Sequence, residues 1–455
     1  MVEVPVKIQI TNILKKARES VRQMTQVSGA AKTKALNALA GRIEAKAEEL
    51  VDANRADAEA IGKSLAGTAD KDVIKAAVER VRFPEGALAD LVMAIRDIAN
   101  RAEPVGEVTH LWRQPNGMDV CRMRVPLGLI GIVSDGGPLQ TTDLIALCLK
   151  AGNVCVVRGG PEWVKSGAMV SKFLLDSAAE AGLPAGAITI VDRTEKEAAL
   201  ELIKSPLYLD ALIPRGGPGL RKTAKEQARV PVLCHGIGVS HVYVDVEADL
   251  PLAQNVVINS KAQQARATNA VDTLLVHQSI SRQIVPALIR RLLDEFKVDV
   301  LGCPKTISMI GSMNLTGYRE LRPVTDEDWG KQFLTSTLAL KIVKDMDEAL
   351  DHIAAYGPSH TDTIVTRDYA TAMRFVQDVD AGAVLVNAST RMHDAAEFGL
   401  GSEVGVGTGR LHARGSLSLE ALTCEKYVVF GTGQLRQPHP VPVTYEDAIM
   451  LKRPS

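Results

Sequence analysis

Between residues 127 and 213 the chain alternates short apolar runs with helical stretches, and this alternation constrains the fold more than any other feature. Residues 127–133, 154–157, 188–191 and 211–213 read as strands, almost wholly apolar along their length. Residues 143–151, 164–181 and 196–204 read as the helices between them. A strand that is apolar on both alternating sides must be buried on both faces, and a connection that holds a helix makes its neighbours parallel. The expectation is an α/β fold built on a wound parallel sheet with helices covering it. In such sheets ligands bind beyond the carboxyl ends of the strands.

The flanks add three more expectations. Residues 13–100 carry a helical pattern, with Leu36, Leu39, Ile43 and Ala47 on one stripe and a break at residues 68–71. Residues 107–125 alternate about Asn116-Gly117 and predict a long hairpin, whose edges must be covered or must pair with another chain. From Ala270 a second α/β unit is expected. Its strands are placed at 273–276, 307–310, 338–343, 359–365 and 383–391, and its helices at 280–296 and 346–356. A Gly-rich return segment (397–403 and 411–415) and a last strand at 427–430 follow. At 455 residues the chain is too long for one ordinary core.

Composition removes several classes of function. A net charge of -1 and 4% aromatic residues give no basic face and no stacking platform for nucleic acid. No run approaches 18 apolar residues, and the first ten residues lack a signal pattern, so no membrane role is expected. Six cysteines without a C-x-x-C pair point to reduced thiols in a cytoplasmic setting and to no structural metal.

Three stretches carry chemistry. Arg158-Gly159-Gly160 and Arg215-Gly216-Gly217 each follow a strand and precede a helix. Glycine there lets backbone N–H groups approach a phosphate, and arginine pairs with one. Residues 260–269 read as a polar loop of small residues running into an apolar strand. Residues 230–244, with Gly236 and Gly238, cross from the first half to the second.

The blocks I-P-R-G-G (213–217), S-H-T-D (359–362), V-N-A-S-T-R (386–391), E-F-G-L-G (397–401) and L-H-A-R-G (411–415) occur in order. On them the chain, from about residue 14 to 436, resembles the gamma-glutamyl phosphate reductase (glutamate-5-semialdehyde dehydrogenase) branch of the aldehyde dehydrogenase superfamily. The resemblance implies a Rossmann-type cofactor domain (1–105 with 126–232) and a catalytic domain (233–424). It also implies an oligomerisation hairpin (106–125) with a C-terminal extension (425–455), and so a homo-oligomer. It implies NADP as cofactor, with Arg158, Gly159 and Gly160 by the adenosine ribose and Arg215, Gly216 and Gly217 by the pyrophosphate and nicotinamide. The reaction implied is NADPH-dependent reduction of L-glutamyl 5-phosphate through a cysteine thioester, in proline biosynthesis.

The departures from the family pattern gather at the reacting centre. Thr268 stands at the nucleophile cysteine, just before Asn269, and Lys261 is the nearest candidate base in the loop. Cys234, followed by His235, stands at the general-base glutamate and can be read either as a displaced nucleophile or as a small filler. Gln332 replaces a glutamate expected on the nicotinamide ribose, and Pro161 replaces a serine. Asp135 keeps a carboxylate in the substrate segment, while Gly137 replaces its arginine. Asn387 and Arg391 match residues that could hold an amino-acid carboxylate, or could simply fasten a turn. Three functions stay open at this stage: a working reductase, a relative acting on another substrate, and a silent ligand-binding homologue. The last would partner an active paralogue or glutamate 5-kinase.

Overall fold

The computed structural model describes residues 5–193, 195–233, 238–312, 321–357, 359–411 and 413–436. Its N-terminal layer comprises α1 (Val6–Met24), α2 (Gly29–Ala45), α3 (Ala47–Leu65), α4 (Lys71–Val81) and α5 (Ala87–Asn100). Buried residues recur every three or four positions, as with Ile10, Leu14 and Ala17 in α1, so each helix lays one stripe inward. The Ser28 side chain accepts a hydrogen bond from Ala31 N (3.2 Å) and starts α2.

The hairpin follows as β1 (Val108–Arg113) and β2 (Asp119–Pro126). The alternating unit then runs β3 (Leu129–Ser134), α6 (Pro138–Lys150), β4 (Val154–Arg158), α7 (Val164–Glu180), β5 (Ile188–Ile190), α8 (Lys196–Ile203), β6 (Ala211–Arg215) and α9 (Pro218–Gln227). Its strands pair in the order β5-β4-β3-β6, all parallel. Every residue of β3 and β4 is buried, which is why both read as unbroken apolar runs. Helix α6 starts at Pro138 rather than residue 143, because Gly137-Pro138 is itself a helix opening.

The second unit contains β7 (His241–Val244), α10 (Leu250–Ala262), β8 (Thr273–His277), α11 (Gln278–Asp294), β9 (Asp299–Gly302), α12 (Pro304–Ser312) and β10 (Arg322–Pro323). It continues with α13 (Asp326–Trp329), β11 (Thr337–Val343), α14 (Met346–Tyr356), β12 (Thr361–Val365), α15 (Tyr369–Asp378) and β13 (Ala383–Val386). The order is β10-β9-β11-β8-β7-β12-β13, again parallel throughout. Two expectations are corrected. Residues 307–310 are not a strand but part of α12, and the strand is β9; four apolar residues have no period long enough to separate the two. The polar loop is shorter than expected, because Ser260 and Lys261 belong to the last turn of α10.

The return segment forms β14 (Gly405–Gly407) and β15 (Gly415–Leu417) before β16 (Thr423–Phe430). Val404, Leu417, Leu419 and Leu422 join the apolar core of the first sheet and its helices, so this part of the segment expected to be catalytic packs on the first unit. Strand β16 pairs antiparallel with β2 from Thr423↔Pro126 to Phe430↔Asp119, covering the hairpin's inner edge from within the chain. The outer edge of β1 has no strand partner among the described residues. No helix among them is long and apolar enough to cross a membrane.

Candidate active site and cofactor crevice

Strands β4 and β6 flank β3 on opposite sides, so the chain's path reverses at β3, and three loops meet beyond the strand ends. Asp135 N donates to Arg215 O (2.8 Å), fixing the first loop to the third. Arg158, 4% exposed, donates from Nη1 to Asp135 Oδ1 (3.3 Å). Asp135, expected in the substrate segment, is therefore also a counter-charge of Arg158 in the loop after β4. Arg215 Nη1 donates to Val404 O (2.7 Å) and ties the third loop to the return segment. Its charge also reaches Asp143, whose carboxyl is raised to about 6 because burial outweighs the opposing pull of Arg215.

The glycines of these loops do different work. A Cβ on Gly160 would come within 2.8 Å of the Trp163 ring, so this glycine makes room for an indole. Gly159 and Gly217 have no atom within 4 Å of such a Cβ and leave backbone open to a ligand. Trp163, held by Nε1 donating to Val81 O (3.1 Å), separates two cavities. One, of about 510 Å³, lies between α6 and α7 and is reached by Gly159, Gly160 and Pro161. The other, of about 420 Å³, lies between α5 and the start of α6 and includes Gly137, Gln140 and Asp143. The second cavity was not anticipated: its walls come from segments 50 residues apart, and no local pattern marks them.

Across the cleft, the turn before β8 is tightly fastened. Gln332 Nε2 donates to Thr268 O (3.1 Å), which brings together two of the expected residues. Asn269 Nδ2 donates to His393 O (2.8 Å), and Asn269 Oδ1 accepts from Arg391 Nη1. Arg391 also donates to Gln263 Oε1 (2.8 Å) and Gln264 Oε1 (3.1 Å). The three side chains its guanidinium bonds, Gln263, Gln264 and Asn269, are neutral amides, so a guanidinium with no ion pair among the described residues sits on the candidate reacting turn. Burial lowers its pKa while Asp394 and Glu397 hold it up. Thr268 is half-buried, and no side chain among the described residues hydrogen-bonds its hydroxyl.

Asn387, read from sequence either as a holder of an amino-acid carboxylate or as a fastener of a turn, makes the turn contacts. Its Oδ1 accepts from Thr366 N (3.0 Å) and its Nδ2 donates to Thr366 O (2.9 Å), with φ at 55°. Asparagine tolerates this left-handed conformation, and the side chain is spent on clamping the turn. Cys234 and His235 lie outside the described residues.

Behind the turn lies a set of buried titratable groups that the sequence did not flag as a unit. His241 and Asp362, 0% and 1% exposed, share a hydrogen bond of 2.8 Å. His352 packs on Trp329 and Tyr356 (ring centroids at 5.0 and 4.8 Å), and burial, then His241 and Lys341, bring its pKa down to about 3. A histidine lowered on folding binds its proton more readily when unfolded, so its stabilisation is present above the unfolded value near 6.5 and is lost as pH falls toward 3. The wild type should lose about 3 kcal/mol through this group between pH 7 and pH 4, and a His352→Phe variant none of it. Asp143 and Asp272, both raised to about 6, act in the opposite direction over the same range. The measurement is therefore the difference between wild type and variant in urea unfolding at the two pH values.

The aldehyde dehydrogenase family model matches residues 5–306, more than half of the chain. The chain is 40% identical over 432 residues to the gamma-glutamyl phosphate reductase of Thermodesulfovibrio yellowstonii, covering 95% of this chain and 100% of that one. It is 40% identical over 422 residues to the same-named protein of Heliobacterium modesticaldum, with coverages of 93% and 97%. The crystal structure of gamma-glutamyl phosphate reductase from Thermotoga maritima superimposes with a TM-score of 0.87 at 34% identity, covering 94% of this chain and 100% of that one. With sequence and fold in agreement along nearly its whole length, the chain belongs to the aldehyde dehydrogenase family, in its gamma-glutamyl phosphate reductase branch.

Proposed function

We propose that the chain is an NADPH-dependent reductase that converts L-glutamyl 5-phosphate to glutamate 5-semialdehyde and phosphate, in proline biosynthesis, with its rate limited by Thr268. The observation that carries this reading is the assembled frame around residue 268: Gln332 on its carbonyl and the Arg391–Asn269 clasp beside it. An unneutralised guanidinium there suits an anionic acyl phosphate or its amino-acid carboxylate.

The dinucleotide would lie along the three loops, with Arg158 and Arg215 as the cations and Gly159, Gly216 and Gly217 as the backbone approach. The open backbone at Gly159 and Gly217 and the cavity between α6 and α7 fit such a ligand. When bound it supplies the hydride. Gln332 would hold the nicotinamide ribose while bonding Thr268, and Asp135 keeps Arg158 in place. A threonine hydroxyl needs a strong local base to attack an acyl carbon, and none is hydrogen-bonded to it among the described residues. That observation favours, as a second reading, a silent homologue that binds the same ligands, beside an active paralogue or glutamate 5-kinase.

The reading places residues 1–105 and 126–232 on the cofactor and 233–424 on the substrate, and it takes the protein to be cytoplasmic. The open β1 edge and the exposed Leu111 on β1 and Tyr427 and Phe430 on β16 support a homo-oligomer formed through this sheet. Calorimetric titration with NADPH tests the cofactor part. Arg215→Ala should weaken binding about tenfold or more, since a charge-assisted contact contributes about 1.5–3 kcal/mol. An unchanged affinity would remove Arg215 from the site.

A further inference from the structure

Lys261 stands one residue before the end of α10, and its side chain is fully buried. Its Nζ has no hydrogen-bond partner among the described residues. A buried amine without acceptors is costly, and such groups cluster where their charge has a task.

The surroundings tie this amine to the candidate reacting turn. Nζ lies 5.9 Å from the Phe333 ring centroid, and Lys331 Nζ lies 5.7 Å from the same ring. Phe333 N donates to Asp272 Oδ1 (3.0 Å), while its neighbour Gln332 holds the Thr268 carbonyl. Val271 N donates to Ser260 O (3.0 Å), so the helix end carrying Lys261 is bonded to the segment that leaves Thr268. The charged groups facing this spot are Asp272 at the entry to β8, Lys331 ahead of Phe333, and Arg391 across Asn269; His241 in β7 acts on Asp272. Burial brings Lys261 down to about 8 and Asp272 raises it again, so the ammonium form still prevails at neutral pH.

We propose that Lys261 is a positioning residue whose buried ammonium favours an anion at residue 268, whether a thiolate or an oxyanion on a bound acyl group. This rests on the reading above only in taking residue 268 as the reacting centre. A nearby cation lowers the pKa of a thiol, so a cysteine placed at 268 reports the effect directly. The experiment measures peptide-resolved alkylation of Thr268→Cys by iodoacetamide across a pH series. It compares Lys261 with Lys261→Met, Lys261→Arg and Lys261→Arg combined with Asp272→Asn in that background.

The thiol should ionise below the ordinary cysteine range. Lys261→Met should slow its alkylation at pH 7 about tenfold, the scale of one screened charge. Lys261→Arg should keep it fast, and Asp272→Asn added to Lys261→Arg, whose guanidinium stays charged without the carboxylate, should make it faster still. If Lys261→Met fails to fold, the two arginine arms decide, because they move the local charge without deleting the cation. A pH profile unmoved by Lys261→Met, or by Asp272→Asn in the arginine background, overturns the proposal, as does an arginine variant as slow as methionine. No turnover enters this readout. A readily ionised thiol in a protein that reduces no glutamyl phosphate would sink the functional reading and leave this inference standing.

Discussion

Thr268→Cys is expected to raise phosphate-dependent turnover by on the order of 10³-fold or more, because removing the nucleophile of a covalent enzyme costs about as much as removing its whole catalytic set. The hydroxyl of Thr268 must lose a proton it holds far more tightly than a thiol does, and no side chain among the described residues is bonded to it to help. What the new thiol would need is otherwise present. Gln332 fixes the turn, Asn269 and Arg391 brace it, and the end of α10 that carries Lys261 is bonded through Ser260 O to Val271, three residues past Thr268. Thr268→Ser serves as the control, since it changes the side chain without supplying a thiol. A Thr268→Cys enzyme no faster than the wild type would mean that residue 268 is not where the acyl group is attacked. Loss of wild-type turnover in Cys234→Ala alone would then mark a relocated nucleophile.

The second large effect concerns stability. Asp362→Ala should cost about 3–5 kcal/mol and lower the melting temperature by roughly 10 °C, because it strands a buried partner. His241 and Asp362 pair directly in register on β7 and β12, and both are shielded from water. The His241 ring left behind by Asp362→Ala has no solvent to replace its partner, so breaking the pair costs more than the pair contributes when intact. Asp362→Asn keeps a polar group of the same shape and should lose distinctly less. Thermal unfolding of the two variants against wild type is the measurement, and equal losses would count against the buried pair as the source of the effect. The pair sits in the same buried layer as Asp272, whose charge His241 helps to stabilise. Some loss of nucleotide or substrate binding should therefore accompany Asp362→Ala before the protein unfolds.

Much of this architecture could be read before any coordinates. The buried strands β3, β4 and β6 are apolar on both faces, and that single property points to the parallel sheet and to the glycine-bearing loops at its strand ends. Where a segment lacked a period, it was ambiguous. Residues 307–310 look the same as a strand or as a turn of a buried helix, and Ser260 and Lys261 look like loop residues because polar side chains rarely end up fully buried.

The site was legible as residue types and not as contacts. Gln332 and Thr268 are 64 positions apart and Arg391 and Asn269 are 122 apart, so only the folded sheet brings them together. Asn387 shows the opposite failure: an asparagine that clamps a left-handed turn has the same sequence appearance as one that binds a carboxylate. Gly160, likewise, stands in a phosphate-loop pattern but is required by the Trp163 ring. The cavity beside Gly137 and Asp143 had no sequence signal at all, since the helices that wall it are distant in the chain.

The central claim is that a reductase frame persists around a changed reacting atom. It is tested most directly by following NADP reduction with glutamate 5-semialdehyde, with and without inorganic phosphate, in the wild-type chain and in Thr268→Cys. The account predicts slow, phosphate-dependent turnover in the wild type and fast, phosphate-dependent turnover in the variant. Folded protein that binds NADPH yet shows no phosphate-dependent turnover in either form would contradict it.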